Sequence, residues 1–167
     1  MAPGITPLIL FLFGTTFLTL GLFLLGKGKA EPTGWAVIWC GLLVAALSPL
    51  VVAIDENPLV AALTITFAFG AIIAGCSLIK NLDTAATGSA AIFCGIIALI
   101  YGVYFITLAH FYYLAFSCFL WAIWWWVITG FTWGKIGSKI VGYLTTVESF
   151  ITFLVIGVSM LLGVTLP

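Results

Sequence analysis

Uncharged apolar runs, each about twenty residues long, make up most of this 167-residue chain, and all but one of its charged residues fall between them. A helix of that length crosses a hydrocarbon core of about 30 Å, and it satisfies its own backbone polar groups where no water is present. Composition removes the soluble alternative. With 64% hydrophobic and 6% charged residues and a mean hydropathy of +1.34, the chain cannot cover a domain in water, where about a quarter of residues are charged. Lipid must be the solvent for most of its surface.

The runs define six spans in a single domain, 1–167, at about 7–26, 35–54, 59–79, 89–109, 112–131 and 140–162. The first opens without a basic flank and is longer than a signal-peptide core, so it is expected to be a span. It stops at GKGKAEPTG, where Gly and Lys suit a helix C-terminus. The second carries Pro49, where a kink is expected, and ends at the tight break IDENP. The third ends at KNLDTAATG. Ser89 to Thr132 is too long for one helix and suits two, with a turn at AHFYY. No sustained alternation of period two marks barrel strands, so the expected fold is an all-α bundle of six transmembrane helices. Lys27, Lys29, Lys80, Lys135 and Lys139 all fall in odd-numbered loops, whereas Asp55, Glu56 and His110 fall in even-numbered ones. By the positive-inside rule both termini lie outside. Trp35, Trp133, Tyr112 and Tyr113, near the span ends, suit interfacial aromatic belts.

Several functions are disfavoured. The chain has no Arg, and its scattered Lys form no stripe that could neutralise phosphates, so nucleic acid is not an expected partner. Cys40, Cys76, Cys94 and Cys118 lie in apolar runs without CxxC spacing or a neighbouring His, as packing residues do. GLFLLGKG imitates the start of a phosphate-binding loop but lacks its Ser or Thr and the preceding strand. No nucleophile with an adjacent base, carboxylate pair or metal-ligand cluster is present, so neither an enzyme nor a cofactor is expected.

The residues that could carry function are few. Glu148 is the one acid inside a span and must face protein or water, as a pore-lining group or as a carboxyl bonded to another helix. Thr145 and Thr152 share its helix face, with Ser159 further along. In LWAIWWWV, Trp121 and Trp125 share a face with Ser117 one turn earlier, and Trp124 and Trp126 are expected to point elsewhere. Two stacked indoles could form a slot for small planar solutes, with N–H donors and ring walls that exclude hydrated ions, or they could simply pack. His110, the sole His, lies in an outside turn and is a candidate pH-sensing group.

Three stretches resemble the AmiS/UreI family of proton-gated urea channels and amide transporters: LTLGLFLLGKGKAEPTGWAVIWCG, the pair Trp121 and Trp125, and GYLTTVESFITFLVI. The resemblance implies that the Trp pair forms a constriction passing urea-sized molecules, that Glu148 lies in or near the pore, and that protomers form a hexameric ring with one pore each. The short outside loops, with His110 as their only His, imply no strong acid gate. The expected function is a passive channel for small neutral solutes, urea or short aliphatic amides, lined by Glu148, Trp121, Trp125, Thr145, Thr152 and Ser117. Lipids, the solute and other copies of the chain are the expected partners, in a bacterial or archaeal plasma membrane. One alternative is a proton-coupled transporter of a weak acid, ammonia or amide that uses Glu148; another is a structural or lipid-interacting membrane protein.

Overall fold

The structure, a computed structural model, describes residues 4–80 and 84–164. It is all-helical over these residues, and the middle of the third loop, 81–83, lies outside them. Six helices are long and apolar enough to cross a membrane: α1 (Thr6–Leu24), α2 (Ala30–Ile54), α3 (Pro58–Lys80), α4 (Ala85–Ala109), α5 (Tyr112–Thr132) and α6 (Ser138–Leu161). Helix α2 starts at Ala30, ahead of the Trp35 expected from the sequence. Its extra turn tolerates Pro32 because the first turn of a helix needs no backbone donors, and Glu31 there complements the helix dipole. The helix also runs on through Pro49.

Each helix packs on its neighbour in sequence, and α6 returns to α1, so the six close into a ring. Because successive helices alternate in direction, the five lysines, all exposed, gather at one end of the ring. We call this the lysine end. The turns at the other end are tight: Asp55–Asn57 contains Glu56 at φ 53°, and the α4–α5 turn holds the exposed His110 at φ 57°. Small residues set how closely the helices approach. Gly88, Gly95 and Gly102 recur every seventh residue on α4, and a Cβ at each would strike Thr132, Trp126 and Phe119 of α5, respectively.

The ring is pinned at the end opposite the lysines by Asp55. Its Oδ1 accepts from the Ile5 amide at 2.9 Å, and Oδ2 accepts from the Thr6 amide at 2.7 Å and from the Thr6 hydroxyl. Helix α1 has no capping side chain of its own, so a residue fifty positions away supplies the cap. Partial burial raises the Asp55 pKa, but the hydrogen bonds from Thr6 and Ile5 outweigh it and hold the carboxyl below the usual carboxylate range. With the folded value lowered, the stabilisation is complete above the ordinary Asp pKa of about 4 and is lost as pH falls through the folded value. We expect Asp55→Ala to cost about 1 kcal/mol. Thermal unfolding in detergent should show wild type converging on the variant below about pH 4; a gap constant down to pH 3 would contradict this linkage.

Candidate functional site

Inside the ring the helices present aromatic rings to one another. Phe13 and Phe17 of α1, Phe67 of α3, Trp121, Trp124 and Trp125 of α5, and Phe153 of α6 are all buried. Their contacts are continuous. Phe17 meets Trp124 edge-on at 4.6 Å and Phe153 at 5.2 Å, and Phe153 stacks on Trp121 at 4.9 Å. Phe67 meets Trp121 at 5.3 Å and Trp125 at 5.6 Å, and Trp125 meets Trp124 at 4.6 Å. Such edge-to-face and stacked pairs are favoured by the ring quadrupoles. They form an aromatic belt across the middle of the ring.

A cavity lies on each side of this belt. Towards the lysine end, Phe17, Trp124 and Trp125 form the floor of a cavity of about 210 Å³ whose walls include Ser77 and Thr87. Towards the opposite end, Phe13, Phe67, Trp121 and Phe153 bound a smaller one of about 30 Å³ that includes Thr64. The walls of both are chiefly apolar, as small-molecule sites usually are.

The expected site residues are not all placed alike. Trp121 and Trp125 each face a cavity. Trp124, which spacing alone directs elsewhere, also faces inward: at i+3 from Trp121 it shares the same broad buried face, whereas Trp126 points outward against Gly95. Thr152 and Thr145 stand behind the indoles. The Trp121 Nε1–H donates to the Thr152 hydroxyl at 2.7 Å, and the Trp124 Nε1–H donates to Thr145 at 2.8 Å. Each Thr hydroxyl in turn donates to a carbonyl of its own helix, that of Glu148 or Val141. Ser117 is fully buried and bonds to the Tyr113 carbonyl. His110 stands apart in its exposed turn.

Two buried side-chain polar atoms among the described residues have no partner: Trp125 Nε1 and Glu148 Oε1. Glu148 lies on α6 between Thr145 and Thr152, immediately before a π-helical segment, Ser149–Leu154, and forms part of neither cavity wall. Such widened turns are frequent at functional sites. Here the segment carries Thr152 and Phe153, and its Ile151 carbonyl accepts from the Tyr113 hydroxyl of α5 at 3.1 Å. Helix α5 therefore donates three hydrogen bonds to α6, two of which fix the orientation of belt indoles.

Each Thr should thus act through its indole. We expect Thr145→Val or Thr152→Val to cost about 1 kcal/mol by orphaning an N–H in an apolar interior, with a loss of near-ultraviolet tryptophan dichroism. The Ser replacements, which keep the hydroxyl, should retain the dichroism. Equal signals for the Val and Ser variants would mean that these bonds do not hold the rings.

A profile described as "AmiS/UreI family transporter" matches residues 5–164. The chain belongs to that family. Among solved structures it is similar to the urea channel of Helicobacter pylori in a crystal structure, with a TM-score of 0.81 at 15% identity, covering 95% of this chain and 98% of that one. It is also similar to the closed state of that channel from cryo-electron microscopy, with a TM-score of 0.77 at 16% identity, covering 96% and 99%. No curated protein sequence matches the chain. The family is one of transporters, not enzymes, and these likenesses extend over the whole six-helix ring. Phe13, Phe17, Phe67 and Phe153 complete the belt, although the sequence does not single them out; the spacing of four between Phe13 and Phe17 is the one available hint.

Proposed function

We propose that the chain is a passive channel for small neutral solutes, urea or short-chain aliphatic amides, with a narrow aromatic-lined pore within each protomer. The observation that carries this reading is the pair of chiefly apolar cavities in series on either side of the belt, with Trp125, whose buried N–H has no partner, in the wall of the larger one. Apolar walls disfavour ions, ring faces suit flat molecules, and a single uncommitted donor suits a carbonyl oxygen. The fold shared with the Helicobacter pylori urea channel supports the same solute class. In this reading the lysine end is cytoplasmic, both termini are outside, the membrane is a bacterial or archaeal plasma membrane, and protomers assemble as a hexameric ring. Proteoliposomes should equilibrate urea or acetamide faster than protein-free vesicles of the same lipid. Equal rates for both solutes would overturn the reading.

The unpartnered Glu148 carboxyl oxygen favours a second reading, a transporter in which Glu148 carries a proton coupled to the solute. That version requires a pH gradient to drive accumulation of solute against its own gradient, and requires Glu148→Gln to abolish the accumulation while leaving downhill flux.

A further inference from the structure

The two cavities differ in what they offer a polar solute. In the larger one the polar side chains, Ser77, Thr84, Thr87 and Thr132, all stand within a turn of the helix ends nearest the lysines, whereas its depth is walled by Val37, Ala71 and the belt rings. A polar group therefore has company only at the rim.

Beyond the rim the way through is apolar. No polar atom of the described residues opens into the smaller cavity. Thr64, the one hydroxyl residue in its wall, has that hydroxyl bonded to the Ala61 carbonyl at 2.8 Å and to Ser48 at 2.9 Å. At about 30 Å³ the cavity leaves no room for a solute to bring its water shell. In the belt between, the Trp121 and Trp124 N–H groups are bonded to Thr and the Trp125 N–H is buried out of reach of both cavities. No belt ring carries an acceptor stronger than its weak π face.

A solute crossing this stretch leaves its N–H groups unpaired, and each unpaired polar group in an apolar interior is costly. The penalty grows with their number. Urea carries four N–H groups, whereas acetamide, of the same size and flatness, carries two and replaces the others with a methyl. Alkyl groups gain from the same walls that penalise N–H groups.

We infer that the preferred permeants are primary amides with a short alkyl chain, and that the walls discriminate against urea. The inference rests on the channel reading above and narrows its solute class. The amide head is held at the hydroxyl rim while the alkyl chain lies against Phe17, Trp124 and Trp125, and the belt then limits the length of chain that passes.

The test is flux of urea, acetamide and propionamide into proteoliposomes, each less its rate in protein-free vesicles of the same lipid. Urea and acetamide match in shape, so their ratio reads polarity and not size. Acetamide should cross at least about tenfold faster than urea, the cost of leaving one more polar group unpaired, and propionamide should be no slower than acetamide. Val37 and Val60 are buried in the walls of the larger and the smaller cavity, respectively. Thr has the shape of Val and can donate to a carbonyl of its own helix, leaving lone pairs to accept from a solute. In at least one of Val37→Thr and Val60→Thr, urea flux should rise about fivefold, the value of one hydrogen bond. Urea crossing wild-type protein as fast as acetamide, or faster, overturns the preference while leaving the channel reading intact, as does urea flux unchanged in both folded variants. No flux of any of the three solutes overturns both. Thermal unfolding in detergent shows whether each variant is folded, and if neither is, the order of the solutes through wild type still decides.

Discussion

Trp125→Ala is expected to join the two cavities and raise the size limit for solutes crossing the protein. The Trp125 indole forms part of the floor of the larger cavity and meets Phe67, which bounds the smaller one, so removing it takes away the ring that stands between Phe67 and the larger cavity. The side chain is almost fully buried, and truncating a large buried aromatic costs about 3–5 kcal/mol. Thermal unfolding should therefore shift well below wild type while the protein still passes longer amides, such as butyramide, that wild type retards. Trp125→Phe separates two roles of the ring: it keeps an aromatic wall but removes the unpartnered N–H. It should slow urea and acetamide without admitting larger solutes. A series of amides of increasing length, measured by light scattering after osmotic shock, reads both variants. An unchanged size limit in Trp125→Ala would show that the belt is not the constriction.

Gly70→Ala should act on the same ring in the opposite direction. A Cβ at Gly70 would stand 2.8 Å from Cη2 of Trp125, closer than real contacts allow, and 3.0 Å from Sγ of Cys94, which is tight but tolerable. Cη2 lies at the far edge of the indole, so the added methyl must push the whole ring inward against Phe67 and Trp124. Overpacking of this kind typically costs about 1–3 kcal/mol, and the displaced ring should lower urea flux. Phe has no atom where the indole carries Cη2. In the double variant Gly70→Ala, Trp125→Phe the clash disappears, and the two stability losses should sum to more than the double variant shows. Additive losses would place the strain at Cys94 instead.

The paired effects also show why one side of the fold was legible in the sequence and the other was not. The spans could be read because water and lipid treat charge oppositely: Lys, Asp and Glu collect where helices end, and the aromatic residues Trp35, Trp133 and Tyr112 stay exposed near those ends. Which face of a span looks inward is a harder question. Lipid and protein interior are about equally apolar, so Phe67 inside the ring and Phe69 on its outer surface look alike in sequence. For this reason spacing alone directs Trp124 away from the interior it occupies. Thr145 and Thr152 are visible in the sequence as polar groups on the Glu148 face, but not as acceptors for particular indoles.

The sequence by itself therefore determined the solvent, the number of spans, the clustering of lysines in alternate loops, and a family resemblance carried by a few motifs. These follow from composition and from periodicity along a single helix. Tertiary structure alone decided that Asp55 caps a helix fifty residues away, that Thr145 and Thr152 hold Trp124 and Trp121 across twenty-one and thirty-one residues, and that the buried Trp125 N–H is left without a partner. The physical reason is common to all three. A hydrogen bond between helices depends on which faces meet when the ring closes from α6 back to α1, and in an apolar solvent no local pattern records that choice.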